Sequence, residues 1–189
     1  MRGRTIDELV EGERAELTRI VERGDIAAFV EAVGDYNPLH SDPDFAATTM
    51  FKVPIAPGIF TAGMISAVIG TTLPGPGVVY LSQDLKFLKP VHTGDTITAR
   101  AEIVELIRDR NRVRLRTACT NQRGEEVLTG EAWVMPARRP ILYEDRPVGP
   151  AVIGALAVRS WLAMAGATAA CTLLSLQTFA EMTRRTWPS

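Results

Sequence analysis

The chain of 189 residues has few of the residues that mark metal-bound or disulfide-bonded proteins. Its two cysteines, Cys119 and Cys171, are too few and too far apart for a disulfide framework or a zinc site. We expect both to be structural thiols in a reducing compartment. The chain also contains only two histidines, and neither an HExxH nor a CxxC motif. We therefore expect no bound metal.

Charge of one sign is also lacking, because 21 basic and 22 acidic residues leave a net charge of −1. This balance disfavours nucleic acid or an anionic membrane as the main partner. The N-terminus has no apolar segment of the secretory type, so a cytoplasmic location is expected. No GxGxxG follows a predicted strand and no GxSxG is present, which disfavours a dinucleotide site and a nucleophile elbow.

The chain does contain enough apolar residues, 46% of the total, to bury a core. A helix is predicted from an Asp25 N-cap to Gly34, and an apolar helix over residues 58–72. A short helical turn, Pro43–Thr48, lies in the proline-rich connection between them. Residues 15–21 read as an edge strand, and long alternating strands follow residue 78. The simplest packing is an α+β fold in which a curved antiparallel sheet surrounds the apolar helix.

Four segments are expected along the chain. Residues 1–14 read as a polar leader, 15–136 as the main domain, 137–150 as an Arg/Pro-rich linker and 151–189 as an apolar helical tail. Within the tail, residues 160–180 carry no charge over about the length that spans a bilayer. Serine, threonine, glutamine and glycine dilute its hydrophobicity, which favours a packing helix over membrane contact. A remnant of a fused second domain is a third alternative.

The stretch GDYNPLHSDPDFA contains the first candidate site, Asp35 and His40. A carboxylate beside an imidazole can act as a general acid/base pair on a water. The alternative reading makes Asp35 a turn former and His40 a loop residue, with Asn37 holding the loop through an Asx-type bond. The spacing alone does not decide between them.

The N-terminus of the apolar helix is the second candidate. The N–H of Gly58 is unpaired at a helix start and can stabilise a developing oxyanion on a thioester. The alternative reading is an ordinary helix start with no role in binding. Ser66, two turns later, can hydrogen-bond a catalytic group or serve only as a small packing residue. His92, in the turn VHTGD, is expected to be a solvated turn residue.

These stretches together resemble the MaoC-like family of (R)-specific enoyl-CoA hydratases. The resemblance is carried by GDYNPLHSDPDFAATTMF, by PIAPGIFTAGMIS, by LPGPG and by the FLKPVHTGD segment, and it covers roughly residues 15–135. It implies a hot-dog fold, a long central helix wrapped by an antiparallel sheet, and a homodimer. It also implies hydration of trans-2-enoyl-CoA to (R)-3-hydroxyacyl-CoA, with no cofactor beyond the CoA of the acyl-CoA substrate.

The resemblance also implies roles for individual residues. Asp35 and His40 match the catalytic pair, and Gly58 matches the glycine whose N–H holds the thioester carbonyl. Asn37 and Ser66 match supporting residues. Family members commonly carry His-Gly where this chain has Pro57-Gly58, so the local loop shape is the point of departure. A hot-dog thioesterase and a non-catalytic acyl-CoA-binding subunit are the alternative functions.

Overall fold

A computed structural model describes residues 1–144 of the chain. The expected apolar tail and its membrane contact, together with residues 145–150 of the expected linker, lie outside the described residues. The strands are β1 (Arg2–Gly3), β2 (Arg14–Ile20), β3 (Val79–Phe87), β4 (Thr96–Ile107), β5 (Arg112–Thr120), β6 (Glu126–Met135) and β7 (Ile141–Leu142). The α-helices are α1 (Arg23–Val33), α2 (Pro43–Thr48) and α3 (Gly58–Thr71), and short 3₁₀ turns cover Ile6–Glu8, Pro38–His40 and Arg108–Arg110. None of the helices within residues 1–144 is long and apolar enough to cross a bilayer.

A five-stranded antiparallel sheet with the order β2-β4-β5-β6-β3 forms the body of the fold. Burial alternates along β4 and β5, because successive side chains of a strand point to opposite faces. The inward face packs against α3, which contacts β2, β4 and β5. The helix buries five side chains against the sheet, those of Thr61, Met64, Ile65, Val68 and Ile69. The predicted central helix and the predicted edge strand β2 are both confirmed.

The two ends of the described chain differ from the sequence expectation. Residues 1–14 do not form a separate leader, because Ile6 and Leu9 are buried in the core. Strand β1 pairs with β7, so the first part of the expected linker also belongs to the fold. Apolar residues isolated among charges gave no periodic pattern by which either segment could be recognised.

The start of α1 also differs from the prediction. The N-cap is Glu22, and Asp25 is the third helical residue, where its carboxylate accepts a hydrogen bond from the Glu22 N–H at 3.0 Å. Asp25 therefore still stabilises the helix start, but as the second half of a capping box. The predicted end at Gly34 is confirmed, with the left-handed φ of 74° that favours glycine.

Candidate active site

Asp35 and His40 lie at the two ends of the loop that follows α1. Gly34 ends the helix and Asp35 comes directly after it. The Asn37 side chain then accepts a hydrogen bond from the Leu39 N–H at 3.1 Å, which caps the 3₁₀ turn that carries His40. As a result, Nε2 of His40 lies 3.5 Å from Oδ2 of Asp35. The predicted Asx-type bond of Asn37 is thus present.

The His40 ring is held in one orientation by the main chain. Its Nδ1 lies 2.8 Å from the carbonyl oxygen of Ile55, and a carbonyl only accepts, so Nδ1 carries the hydrogen. In the neutral ring, Nε2 is therefore an acceptor that faces the carboxylate of Asp35. The His40 side chain is 9% exposed and that of Asp35 45% exposed.

A separation of 3.5 Å between two acceptors is too long for a direct hydrogen bond. Two acceptors that converge without a hydrogen between them are suited to a donor with two hydrogens, such as a water molecule. Because the carboxylate is half exposed, a water molecule can reach it from solvent. The pair can therefore bind a water and take a proton from it.

The Gly58 N–H lies at the start of α3, the 14-residue central helix. Pro57 is the N-cap, with φ −56° and ψ 133°. In a continuous helix, the Gly58 N–H would donate to the carbonyl of the residue three or four positions earlier, Ile55 or Pro54. Both carbonyls are engaged by histidines: Ile55 by His40, and Pro54 by Nδ1 of His92 at 3.2 Å. Within residues 1–144 the Gly58 N–H has no hydrogen-bond acceptor, so it is available to a ligand oxygen.

Two cavities border this region. One, of about 690 Å³, is lined by both His40 and His92. The other, of about 420 Å³ and mostly apolar, is lined by Gly58 and Phe87. In the described part of the chain Asp35 lines neither cavity. The structure thus brings Asp35 and His40 together, and it joins His40 to Gly58 through the segment 55–58, although the two line different cavities.

Comparison with known proteins identifies the family. Residues 5–123 match the model of the MaoC like domain. The chain belongs to the MaoC-like family. Its sequence is 46% identical over 133 residues to an (R)-specific enoyl-CoA hydratase of Rhodospirillum rubrum, a match that covers 70% of this chain and 92% of the relative. It is 50% identical over 119 residues to a 3-hydroxybutyryl-CoA dehydratase of Methylorubrum extorquens, covering 62% of this chain and 74% of the relative.

Solved structures agree with this assignment. The MaoC-like chain superposes on the unliganded R-hydratase of Pseudomonas aeruginosa with a TM-score of 0.70 and 40% identity, covering 78% of this chain and 97% of the other. The R-hydratase of Aeromonas caviae, described as involved in PHA biosynthesis, gives a TM-score of 0.65 with 41% identity, covering 68% and 97%. The hot-dog fold implied by the resemblance is confirmed.

Two residues of the MaoC-like site are placed differently from expectation. Ser66 is exposed on α3, and its hydroxyl makes no hydrogen bond within residues 1–144. It therefore hydrogen-bonds neither Asp35 nor His40. His92, expected to be solvated, is instead partly buried and bonded to Pro54. Nothing in the turn VHTGD indicated this contact, because the two residues are 38 positions apart.

Proposed function

We propose that this protein is an (R)-specific enoyl-CoA hydratase, which adds water to trans-2-enoyl-CoA to give (R)-3-hydroxyacyl-CoA. The observation that carries the proposal is that two acceptors, Oδ2 of Asp35 and Nε2 of His40, lie 3.5 Å apart and that the Asp35 carboxylate is half exposed to solvent. The names of the relatives from Rhodospirillum rubrum and Aeromonas caviae support the same reaction. The dehydratase name of the Methylorubrum relative describes the reverse direction of the same chemistry.

In the proposed mechanism Asp35 and His40 hold one water. The Asp35 carboxylate takes a proton from this water as its oxygen forms a bond to C3 of the substrate. The C2–C3 π electrons move toward the thioester, and the N–H of Gly58 stabilises the negative charge that develops on the thioester oxygen. The proton that Asp35 took up is then delivered to C2 through Nε2 of His40, which regenerates the carboxylate, while the other hydrogen of the water stays on the new C3 hydroxyl. Hydrogen and hydroxyl are thus added to one face of the double bond, and the choice of that face at C3 determines the (R) configuration.

The proposed chemistry consists only of proton transfers and the formation of one C–O bond. It calls on no metal or redox cofactor, and CoA takes part as a portion of the substrate. Asn37 supports the pair indirectly, because its side chain caps the turn that carries His40. A supporting role for Ser66 rests on the family resemblance alone, because its hydroxyl makes no hydrogen bond within residues 1–144. We expect the enzyme to act in the cytoplasm.

A homodimer completes the proposal. Strand β3 is last in the sheet order, so one of its edges has no partner strand within residues 1–144. An unpaired edge is a template for another strand, and large apolar side chains are exposed along and just beyond it: Val79, Leu81, Phe87 and Leu88. Light scattering should give twice the 20.6 kDa mass of one chain. Leu81→Lys should lower this mass, whereas Val10→Lys, at an exposed apolar side chain outside the sheet, should not.

The direct test is the hydration of crotonyl-CoA, followed by the loss of the enoyl-thioester absorbance. The wild-type enzyme should consume the substrate, and chiral analysis should give the (R) product. Asp35→Asn should lower kcat by about 10²- to 10⁴-fold, the usual contribution of a general base. Asp44→Asn is the matched control, because Asp44 is an exposed aspartate of the same connection whose side chain is not part of the pair.

Other outcomes identify the alternative functions. Release of free thiol from an acyl-CoA, detected with a thiol-reactive dye, would indicate a thioesterase. Saturable binding of acyl-CoA without turnover would indicate a non-catalytic binding subunit. Turnover of crotonyl-CoA by Asp35→Asn at the rate of Asp44→Asn would remove Asp35 from the mechanism.

A further inference from the structure

We propose that His92 is a positioning residue of the hydratase site. Its Nδ1–H holds the Pro54 carbonyl and thereby fixes the segment 54–58, on which both the orientation of His40 and the availability of the Gly58 N–H depend. The inference rests on the proposed function and concerns how that site is held.

The segment 54–58 is fastened from two sides. On one side, the loop after α1 holds Ile55, whose N–H donates to the Leu39 carbonyl at 3.2 Å and whose carbonyl accepts from His40. On the other side, the turn before β4 holds the segment through two bonds. The N–H of Ala56 donates to the Val91 carbonyl at 2.8 Å, and His92 donates to Pro54 at 3.2 Å. Of these two bonds from the turn, only the bond of His92 involves a side chain.

The turn that carries His92 is itself firmly held. The His92 N–H donates to Oδ2 of Asp95 at 2.8 Å, and Gln122 donates to Oδ1 of the same carboxylate at 2.8 Å. The Val21 N–H donates to the Asp95 carbonyl at 2.9 Å, and the Gly94 N–H donates back to Val21 at 2.8 Å. The imidazole of His92 therefore extends from a rigid base, so its bond to Pro54 limits the movement of the segment rather than following it.

The two engaged carbonyls have a specific relation to the proposed oxyanion site. Pro54 and Ile55 lie four and three residues before Gly58, the positions from which a helix accepts an N–H. His92 and His40 occupy these carbonyls. Without His92, the Pro54 carbonyl can turn toward the Gly58 N–H and compete with the thioester oxygen. The expected consequence is a loss of kcat rather than of substrate binding.

The two nitrogens of His92 allow the proposal to be separated from its alternative. Nδ1 faces Pro54, whereas Nε2 makes no hydrogen bond to any described residue, and the ring lines the cavity that His40 also lines. An alternative role would therefore be direct contact of Nε2 with the substrate. Asparagine places an amide N–H near the position of Nδ1, and glutamine places one near Nε2. Only asparagine should replace the proposed bond.

The experiment compares kcat and KM for crotonyl-CoA in the wild type, His92→Asn and His92→Gln. Misplacement of a catalytic group by about 1 Å costs about 100-fold in rate, so His92→Gln should lose about 10- to 100-fold in kcat with little change in KM. His92→Asn should retain most of the wild-type kcat. Asp44→Asn, at an exposed side chain that lines neither cavity, should behave as the wild type.

Three results would overturn the proposal while the wild type remains active: equal losses in His92→Asn and His92→Gln, retention in His92→Gln with loss in His92→Asn, or no loss in either. Inactivity of the wild type itself would instead reject the proposed function.

A second measurement needs no variant to fold. The chain has only two histidines, so nitrogen NMR of the neutral imidazoles in the wild type should show two rings protonated on Nδ1. A ring protonated on Nε2 alone at His92 would refute the bond to Pro54.

Discussion

The sharpest test of the proposed oxyanion site is Gly58→Pro compared with Gly58→Ala, because the two variants share the added Cβ and only proline also removes the N–H. Gly58 is the first residue of α3. Proline is favoured at the first helical position, where it breaks no intrahelical hydrogen bond. The residue before a proline must be extended, and Pro57 already has φ −56° and ψ 133°. The backbone around position 58 therefore accepts the substitution.

The expected magnitude follows from the loss of one preorganised donor. Removing one oxyanion-hole donor costs about 10²- to 10³-fold in kcat, or roughly 2.7–4 kcal/mol of transition-state stabilisation. The free energy of unfolding should change far less, because the helix retains its first turn. We therefore expect a large loss of turnover with a melting temperature close to that of Gly58→Ala.

A steric effect must be separated from the loss of the N–H. A Cβ at position 58 would lie 2.7 Å from Cε1 of Phe87, so any residue other than glycine displaces this ring. Gly58→Ala is the matched control, because it adds the Cβ and retains the N–H. Both substitutions can also be compared in a Phe87→Leu background, where the displaced ring is absent. The ratio of the kcat values of Gly58→Ala and Gly58→Pro then measures the effect of losing the N–H donor.

The assay is the initial rate of crotonyl-CoA hydration at saturating substrate, with thermal unfolding as the check on folding. Gly58→Pro should be slower than Gly58→Ala by the factor given above in both backgrounds. Equal turnover of the two variants would show that the Gly58 N–H does not hold the thioester oxygen. The negative charge would then have to be stabilised elsewhere.

Two further predictions concern stability and reactivity. Hydrogen bonds from Asn121, Lys89 and Arg123 lower the pKa of Glu125 from 4.5 to about 2. A carboxyl whose pKa is lowered in the folded state stabilises the fold at pH values above its pKa in the unfolded chain. The difference in unfolding free energy between the wild type and Glu125→Gln should therefore shrink as the pH falls from 4.5 to about 2. A constant difference in urea titrations would contradict this. Burial raises the pKa of Cys119 to about 12. In a Cys171→Ser background, a thiol-reactive dye should therefore label Cys119 at pH 8 only after the protein unfolds. Rapid labelling of the native protein would be inconsistent with this.

The sequence predicted those parts of the fold that depend on local pattern. Alternating strands, the apolar helix beginning at Gly58, the helix end at Gly34 and the short helical turn Pro43–Thr48 all have local signatures, and the structure has each of them. The pairing of β1 with β7 has no such signature, because it joins two dipeptides 138 or more positions apart in the chain. Pairings of this kind are decided by tertiary contacts rather than by propensity.

The candidate site was predictable to a similar extent. The Asp35–His40 contact follows from a short loop, so spacing and family resemblance together indicated it. The contact of His92 with Pro54 depends on how the turn before β4 packs against the proline-rich connection. Prolines in that connection remove the periodicity from which its course could be read. The exposure of Ser66 similarly depends on which face of α3 the sheet covers.

Pro57, the departure from the family pattern, can be judged from the same geometry. The contacts that hold the segment 54–58 are made by main-chain atoms: the carbonyls of Pro54 and Ile55 and the N–H groups of Ile55 and Ala56. A residue at position 57 therefore needs only to accept φ near −60°, which proline does by its ring. Proline also lacks an N–H, so no donor of residue 57 competes with that of Gly58 for a ligand oxygen. The substitution is consistent with activity, and its effect should be limited to the shape of the surface around the start of α3.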